Sequence, residues 1–276
     1  TLRPRVSPGA DGQALMLAMA RDLLARTGRI TLWPVPEEDG SASLLAGALS
    51  RAGWFVECVP CDTNHYLTLD GRTYAQYLAT RPGPLRTTLK RKAKKVSITL
   101  YDAFSRAAWA DYETVYGQSW KPEEGSPALL RRFADQEGAA GRLRMGVAHA
   151  DLDGAIRPVA AQMWTVENGT AYIHKLAYIE AAKPISPGTS LSAALFERVI
   201  DGDGVHTVDF GTGDDAYKRD WMEQSRPRYR ITAFNPRRPG QWGMIAKSLV
   251  RRMVGRSRGL CGLDDLETKS RYQGGA

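Results

Sequence analysis

The stretch that decides the fold lies between Ala171 and Lys218. It reads as the strand Ala171-Tyr-Ile-His-Lys-Leu-Ala-Tyr178, the helix entry Ser186-Pro-Gly-Thr-Ser-Leu191, the strand and glycine corner Val208-Asp-Phe-Gly-Thr-Gly-Asp214, and then Tyr217-Lys218. A helix whose first turn is Pro187-Gly188-Thr189-Ser190 leaves backbone N–H groups at its positive end, which suits a phosphate or pyrophosphate. Ordinary helix-start chemistry reads the same residues as Ser186 at the cap and Pro187 at the first helical position. The order of the surrounding elements favours the anion.

Upstream, RLRMGVAHA (142–150), RPVAAQMWTV (157–166) and TAYIHKLAYI (170–179) are strand-like runs. Asp151-Leu-Asp-Gly154 and Glu167-Asn-Gly169 join them, and Asp-Gly and Asn-Gly are strong hairpin signals, so the three form an antiparallel meander. Downstream, the pattern predicts a helix over about 188–200, a strand over 205–210, a short helix over 215–222 and a last strand over 229–234.

Residues 85 to 236 resemble the GNAT-type acyltransferases of the CelD/BcsL group (cellulose and exopolysaccharide biosynthesis), which is itself similar to the Fem-type aminoacyltransferases. The resemblance rests on Leu85-Arg86 with the basic helix after it, Tyr116 to Trp120, the Ser186-Pro-Gly188 entry, and the corner Asp209-Phe-Gly-x-Gly-Asp214-x-x-Tyr217-Lys218. One departure stands out: the family's phosphate loop, Gln/Arg-x-x-Gly-x-Gly/Ala, is here Ile185-Ser-Pro-Gly-Thr-Ser190. The resemblance implies an α/β GNAT fold, a mixed and mostly antiparallel central sheet flanked by helices. It also implies a tandem arrangement with a degenerate GNAT-like half over residues 1–84, a catalytic domain over 85–236 and a basic amphipathic tail over 237–276, although no internal repeat is visible.

For the donor, the resemblance implies acyl-CoA, acetyl or long-chain, as co-substrate. Its pantetheine would lie beside Lys175, Leu176, Ala177 and Tyr178, and its phosphates at Ser186, Gly188, Thr189 and Ser190. Acyl transfer to an amine needs a bound donor, a positioned amine, a proton acceptor and donors to the oxyanion. His174, with an ordinary pKa near 6.5, is a candidate base, though a lone strand histidine is commonly structural. Asp209 is a second proton acceptor, or else it bonds the loop Gly211-Thr-Gly213. Tyr217 and Lys218 can donate to the oxyanion or the leaving thiolate, unless Lys218 simply pairs with Asp214 four residues earlier. Tyr116 and Trp120 would wall an acceptor cleft or lie in the core.

At the other end of the chain, 12–27 reads as a helix, 30–35 as a strand, 41–52 as a helix, and 54–59 and 65–69 as two strands. The 276 residues are enough for one large or two ordinary domains, and a net charge of +8 favours anionic partners. Three cysteines are too few for a secreted disulfide framework, and the lone Cys58-Val-Pro-Cys61 with only four histidines argues against zinc. No metal is expected. No apolar run reaches the length of a membrane span and no signal peptide opens the chain, while a start at Thr1 leaves room for a preceding segment. A cytoplasmic location is expected.

Two basic segments bear on partners. Arg86 to Lys95 holds six cations without interleaved aromatic residues, so it reads as a solvated or phosphate-facing helix and nucleic acid is not the expected partner. Gln241 to Gly255 places Trp242, Ile245, Ala246, Leu249, Val250 and Met253 on one helical stripe flanked by Lys247, Arg251 and Arg252, which suits core docking or the anionic inner face of a membrane. The expected function is N-acyl transfer to an amine-bearing envelope precursor, an amino sugar or a long-chain amino lipid. The rivals are aminoacyl transfer from tRNA and a non-catalytic synthase scaffold.

Overall fold

A computed structural model describes residues 3–121 and 125–256. Its chain divides into two compact units, residues 65–225 and residues 1–64 with 226–276. These divisions fall inside strands, whereas the sequence suggested 84 and 236.

In the order of the chain the elements are α1 (Gly12–Arg26), β1 (Arg29–Val35), α2 (Ser41–Arg51), β2 (Phe55–Thr68), α3 (Tyr74–Ala79), α4 (Gly83–Lys92), β3 (Ser97–Tyr101), α5 (Arg106–Gly117) and α6 (Pro127–Ala139). They continue as β4 (Leu143–Leu152), β5 (Ala155–Glu167), β6 (Thr170–Tyr178), α7 (Pro187–Glu197), β7 (Thr207–Thr212), α8 (Ala216–Trp221), β8 (Gln224–Phe234) and α9 (Trp242–Arg256). The two strands expected at 54–59 and 65–69 are a single one, β2. The strand expected from 205 begins instead at Thr207, because Gly204 turns the chain with φ of 62°.

Within the larger unit β3, β4, β5 and β6 are antiparallel neighbours and β7 joins β6 in parallel. The two hairpins are set by Asp153-Gly154 and Asn168-Gly169, all four with positive φ, the twist that suits two-residue hairpin turns. Val159 to Thr165 of β5 is buried without a break, so both faces of the sheet are covered; α5 and α7 both contact that strand. Helix α7 also comes close to β4, where a Cβ on Gly146 would lie only 2.7 Å from Leu191. Phe196 of α7 anchors the core. Its ring lies 4.8 Å from Trp221, 5.1 Å from Trp164 and 5.4 Å from Tyr77, an arrangement whose truncation costs roughly 3–5 kcal/mol in comparable cores.

In the other unit the strand order is β1, β8, β2, and α1 and α2 supply an apolar layer of Met16, Ala20, Leu24, Leu45 and Leu49. Trp54 locks that layer by donating its indole N–H to the Ala20 carbonyl at 2.9 Å. Arg228 is fully buried and donates to Glu38 at 2.6 Å and to Asn64 at 2.7 Å. Cys58 and Cys61 are free thiols there; burial, with Glu37 nearby, pushes Cys58 up to about 12 and leaves it unreactive. Cys261 lies outside the described residues, as does the part of the tail beyond Arg256.

Candidate active site

Strands β6 and β7 pair at three positions, Thr170 with Thr207, Ala171 with Val208 and Tyr172 with Asp209. Beyond these β6 runs on to Tyr178, while β7 ends at Thr212 in a corner whose Gly211 and Gly213 have φ of 70° and 102°. A cavity of about 260 Å³ opens in this part of the unit. Leu176 and Tyr178 of β6 line it, with Ser186 to Thr189 and Ser192 at the start of α7, Tyr217, Asp220 and Trp221 of α8, and Leu85, Trp120 and Lys183.

One end of the cavity is a helix N-terminus with no cap. Ser186 stands in the left-handed region, φ 53° and ψ 51°, and makes no side-chain bond to the helix, so the capping role open in the sequence is not taken up. Its hydroxyl instead accepts from the Lys92 ammonium at 3.1 Å, which brings one cation of the basic α4 segment to the loop. Pro187 has no N–H and the Ser190 N–H returns to the Ser186 carbonyl at 3.2 Å, leaving the Gly188 and Thr189 amides as the donors of the first turn. A dipole end with an ammonium beside it has the charge and the free donors that suit an anion.

A buried amide holds that turn in place. Gln162, wholly buried in β5, donates to the Gly188 carbonyl at 3.0 Å and to Ser192 Oγ at 2.8 Å, and accepts from the Trp164 indole at 3.0 Å. Gly188 also fits tightly under the wall: a Cβ there would meet the Tyr178 ring at 3.3 Å.

The glycine corner after β7 is built by its own polar residues. Asp209 is buried and accepts from the Gly211 N–H at 2.7 Å. Lys218, also buried, donates to the carbonyls of Thr212 and, at 3.1 Å, Gly213, and its ammonium lies 3.5 Å from Asp215. Asp214 pairs elsewhere, with Arg219 at 2.6 Å and with His65 at 2.8 Å, so the Lys218–Asp214 pair does not form. Of the four residues Asp209, His174, Tyr217 and Lys218, the structure brings only Tyr217 to the cavity wall. Its ring meets Phe210 edge-on, with centroids 5.6 Å apart. Although 37% of its surface is exposed, desolvation around the phenol, with Asp215 nearby, pushes its pKa up to about 12, so it is a proton donor at neutral pH.

His174 sits elsewhere. Three β6 residues, 173–175, span two of β5, which makes His174 the extra residue of a bulge and interrupts the strict alternation expected of the strand. Its Nε2 lies 2.7 Å from Thr165 Oγ1 and its ring packs edge-on against Phe133 at 5.2 Å. The residue as a whole is exposed, yet desolvation of the ring lowers its pKa to about 4 rather than leaving it near 6.5. Lys175 lies over the Tyr116 ring at 5.6 Å, and Ala177 and Ser190 are buried; none of the three lines the cavity. Sequence reasoning missed Lys183, Ser192, Asp220 and Trp221 as lining residues. Asp220 and Trp221 carried a signal, since they lie one turn beyond Tyr217 on the short helix already expected there.

Residues 72–219 match the model of the acetyltransferase (GNAT) domain, more than half of the chain, and the protein belongs to that family. Among solved structures it is similar to FemX, at 10% identity and a TM-score of 0.61 over 86% of this chain and 81% of that one. It is also similar to the C-terminal domain of a putative lysylphosphatidylglycerol synthetase from Agrobacterium fabrum, at 14% identity and a TM-score of 0.58 over 86% and 77%. L-PGS from Bacillus licheniformis gives 15% identity and a TM-score of 0.51 over 79% and 72%. At such identities the likeness is one of fold. No curated protein matches the sequence.

Proposed function

We propose that this chain is an acyl-CoA-dependent N-acyltransferase of the CelD/BcsL kind. Its acceptor is an amine on an envelope precursor, an amino sugar or a long-chain amino lipid, at the cytoplasmic face. The observation that carries the reading is the uncapped start of α7, with the Lys92 ammonium on Ser186, at the mouth of a cavity that is otherwise mostly apolar. Gly188 and Thr189 amides with Lys92 and Lys183 suit the donor's phosphates. Leu176, Tyr178, Leu85 and Trp221 suit its pantetheine and acyl parts.

In the transfer, the acceptor nitrogen attacks the thioester carbonyl, the C–N bond forms and the C–S bond breaks. Tyr217 protonates the departing thiolate. The proton released by the amine passes to water and Asp220, the carboxylate on the cavity wall, and from there restores the phenol. Asp209 and Lys218 act by holding the corner that aims Tyr217, and His174 is left with a structural role.

The test is calorimetric titration of the purified chain with CoA, acetyl-CoA and palmitoyl-CoA, with Gly188→Trp as control. Binding that the variant abolishes supports the reading, and a preference for palmitoyl-CoA indicates a lipid acceptor. No binding of any donor refutes it. Salt-sensitive binding of aminoacyl-tRNA through the exposed cations of α4 would then point to the Fem-type alternative.

A further inference from the structure

Helix α9 lies on its unit with the wrong face inward for a docked amphipathic helix. Ser248 is buried at 2% exposure and donates to the Glu57 carboxylate, while Trp242, Leu249, Val250 and Met253 are 60%, 45%, 54% and 66% exposed. At about 100° per residue, Ser248 is nearly opposite Ala246 and Val250, so the apolar stripe faces solvent along the helix. The Trp242 indole N–H donates to the Pro236 carbonyl at 2.9 Å, which orients the ring at the start of that stripe. Lys247 and Arg251 are exposed along one edge.

Charge selects the occupant. From Pro236 to Arg256 the sequence holds six cations, Arg237, Arg238, Lys247, Arg251, Arg252 and Arg256, and no acidic residue. A second copy of the chain would set these cations against their own equivalents, and a nucleic acid would leave the apolar stripe in water. We propose that α9 seats this face on the surface of an anionic bilayer, with Trp242, Leu249, Val250 and Met253 in the interfacial layer and Lys247 and Arg251 among the headgroups. No helix among the described residues is long and apolar enough to cross a membrane, so the contact is peripheral.

The experiment is flotation of the full chain with phosphatidylcholine vesicles, with and without phosphatidylglycerol. The chain should float with the anionic vesicles alone. The exposed pair Leu249→Glu and Val250→Glu should abolish binding, and Lys247→Ala with Arg251→Ala should weaken it roughly 30-fold, about fivefold per charge. Failure of the wild type to float overturns the proposal, as does flotation indifferent to these variants. So does a dimer that the glutamate pair dissolves in sedimentation while vesicles go unbound, or capture of duplex nucleic acid in place of vesicles. If the glutamate pair fails to fold, a salt titration of the wild type decides: binding that salt does not weaken overturns it. Flotation is read without any donor, so its failure leaves the acyl-transfer reading intact.

Discussion

Replacing Lys92 with methionine keeps most of the aliphatic stem and removes the ammonium 3.1 Å from Ser186 Oγ. For a phosphate in direct reach of that ammonium, at about 4 Å, the Coulomb attraction is of order 4 kcal/mol at an effective dielectric of 20. Desolvation and side-chain ordering offset much of this, leaving the roughly 1.5–3 kcal/mol typical of a charged hydrogen bond. CoA affinity should therefore fall about 10- to 100-fold in calorimetry. The discriminating arm is an acylated pantetheine without phosphates, whose affinity should not change. Added salt should also weaken CoA binding less in the variant than in the wild type. Equal losses for both ligands, or an unchanged affinity for CoA, would refute the assignment of Lys92 to the phosphates.

Tyr217→Phe should lower kcat by about 100-fold or more with little change in KM, read by thiol release. Because the phenol is pushed up to about 12, the wild-type rate should show no alkaline loss from this group below that value. Gln162→Leu leaves Ser192 and the Trp164 indole without their partner inside the core. It should cost about 2–4 kcal/mol in chemical denaturation and weaken donor binding through the displaced Gly188 turn. The His174 ring, at about 4 against an ordinary 6.5, binds fewer protons folded than unfolded. Its contribution is therefore intact above pH 6.5 and lost as pH falls from 6.5 towards 4; His174→Phe should flatten that part of a thermal-melting pH series.

The meander, α7, β7 and α8 were legible because hairpin dipeptides and alternating apolar residues are local signals, and all are strong between 142 and 222. Helices α5 and α6 and strand β3 were not; β3 is a short strand with only Ile98, Leu100 and Tyr101 half-buried, and it is fixed by pairing with β4, more than forty residues away. In the site, Ser186-Pro-Gly188 suggested an anion only together with the order of the elements around it, since the same residues also read as an ordinary helix start. The role of Lys92 was not legible, because six cations in one run look alike until the helix turns one of them toward Ser186. Asp209 was a candidate proton acceptor because it ends its strand, and Lys218 a candidate donor because it lies a short turn further on. The structure shows Asp209 accepting from the Gly211 amide, the loop bond that the sequence had left open beside a chemical role, and Lys218 donating to the Thr212 and Gly213 carbonyls rather than pairing with Asp214.

If the donor is an acyl-CoA as proposed, the short parallel pairing of β6 and β7 divides two kinds of selectivity between two parts of the molecule. An extended, amide-bearing ligand lying along β6 beyond Tyr172 is read through main-chain geometry, which substitutions of side chains barely alter. The acyl end is read by side chains such as Leu85, Leu176 and Trp221, each replaceable on its own. On that proposal carrier recognition is fixed by topology while chain-length preference is free to drift. A library confined to those three positions should yield enzymes that differ in the group transferred and agree in what delivers it.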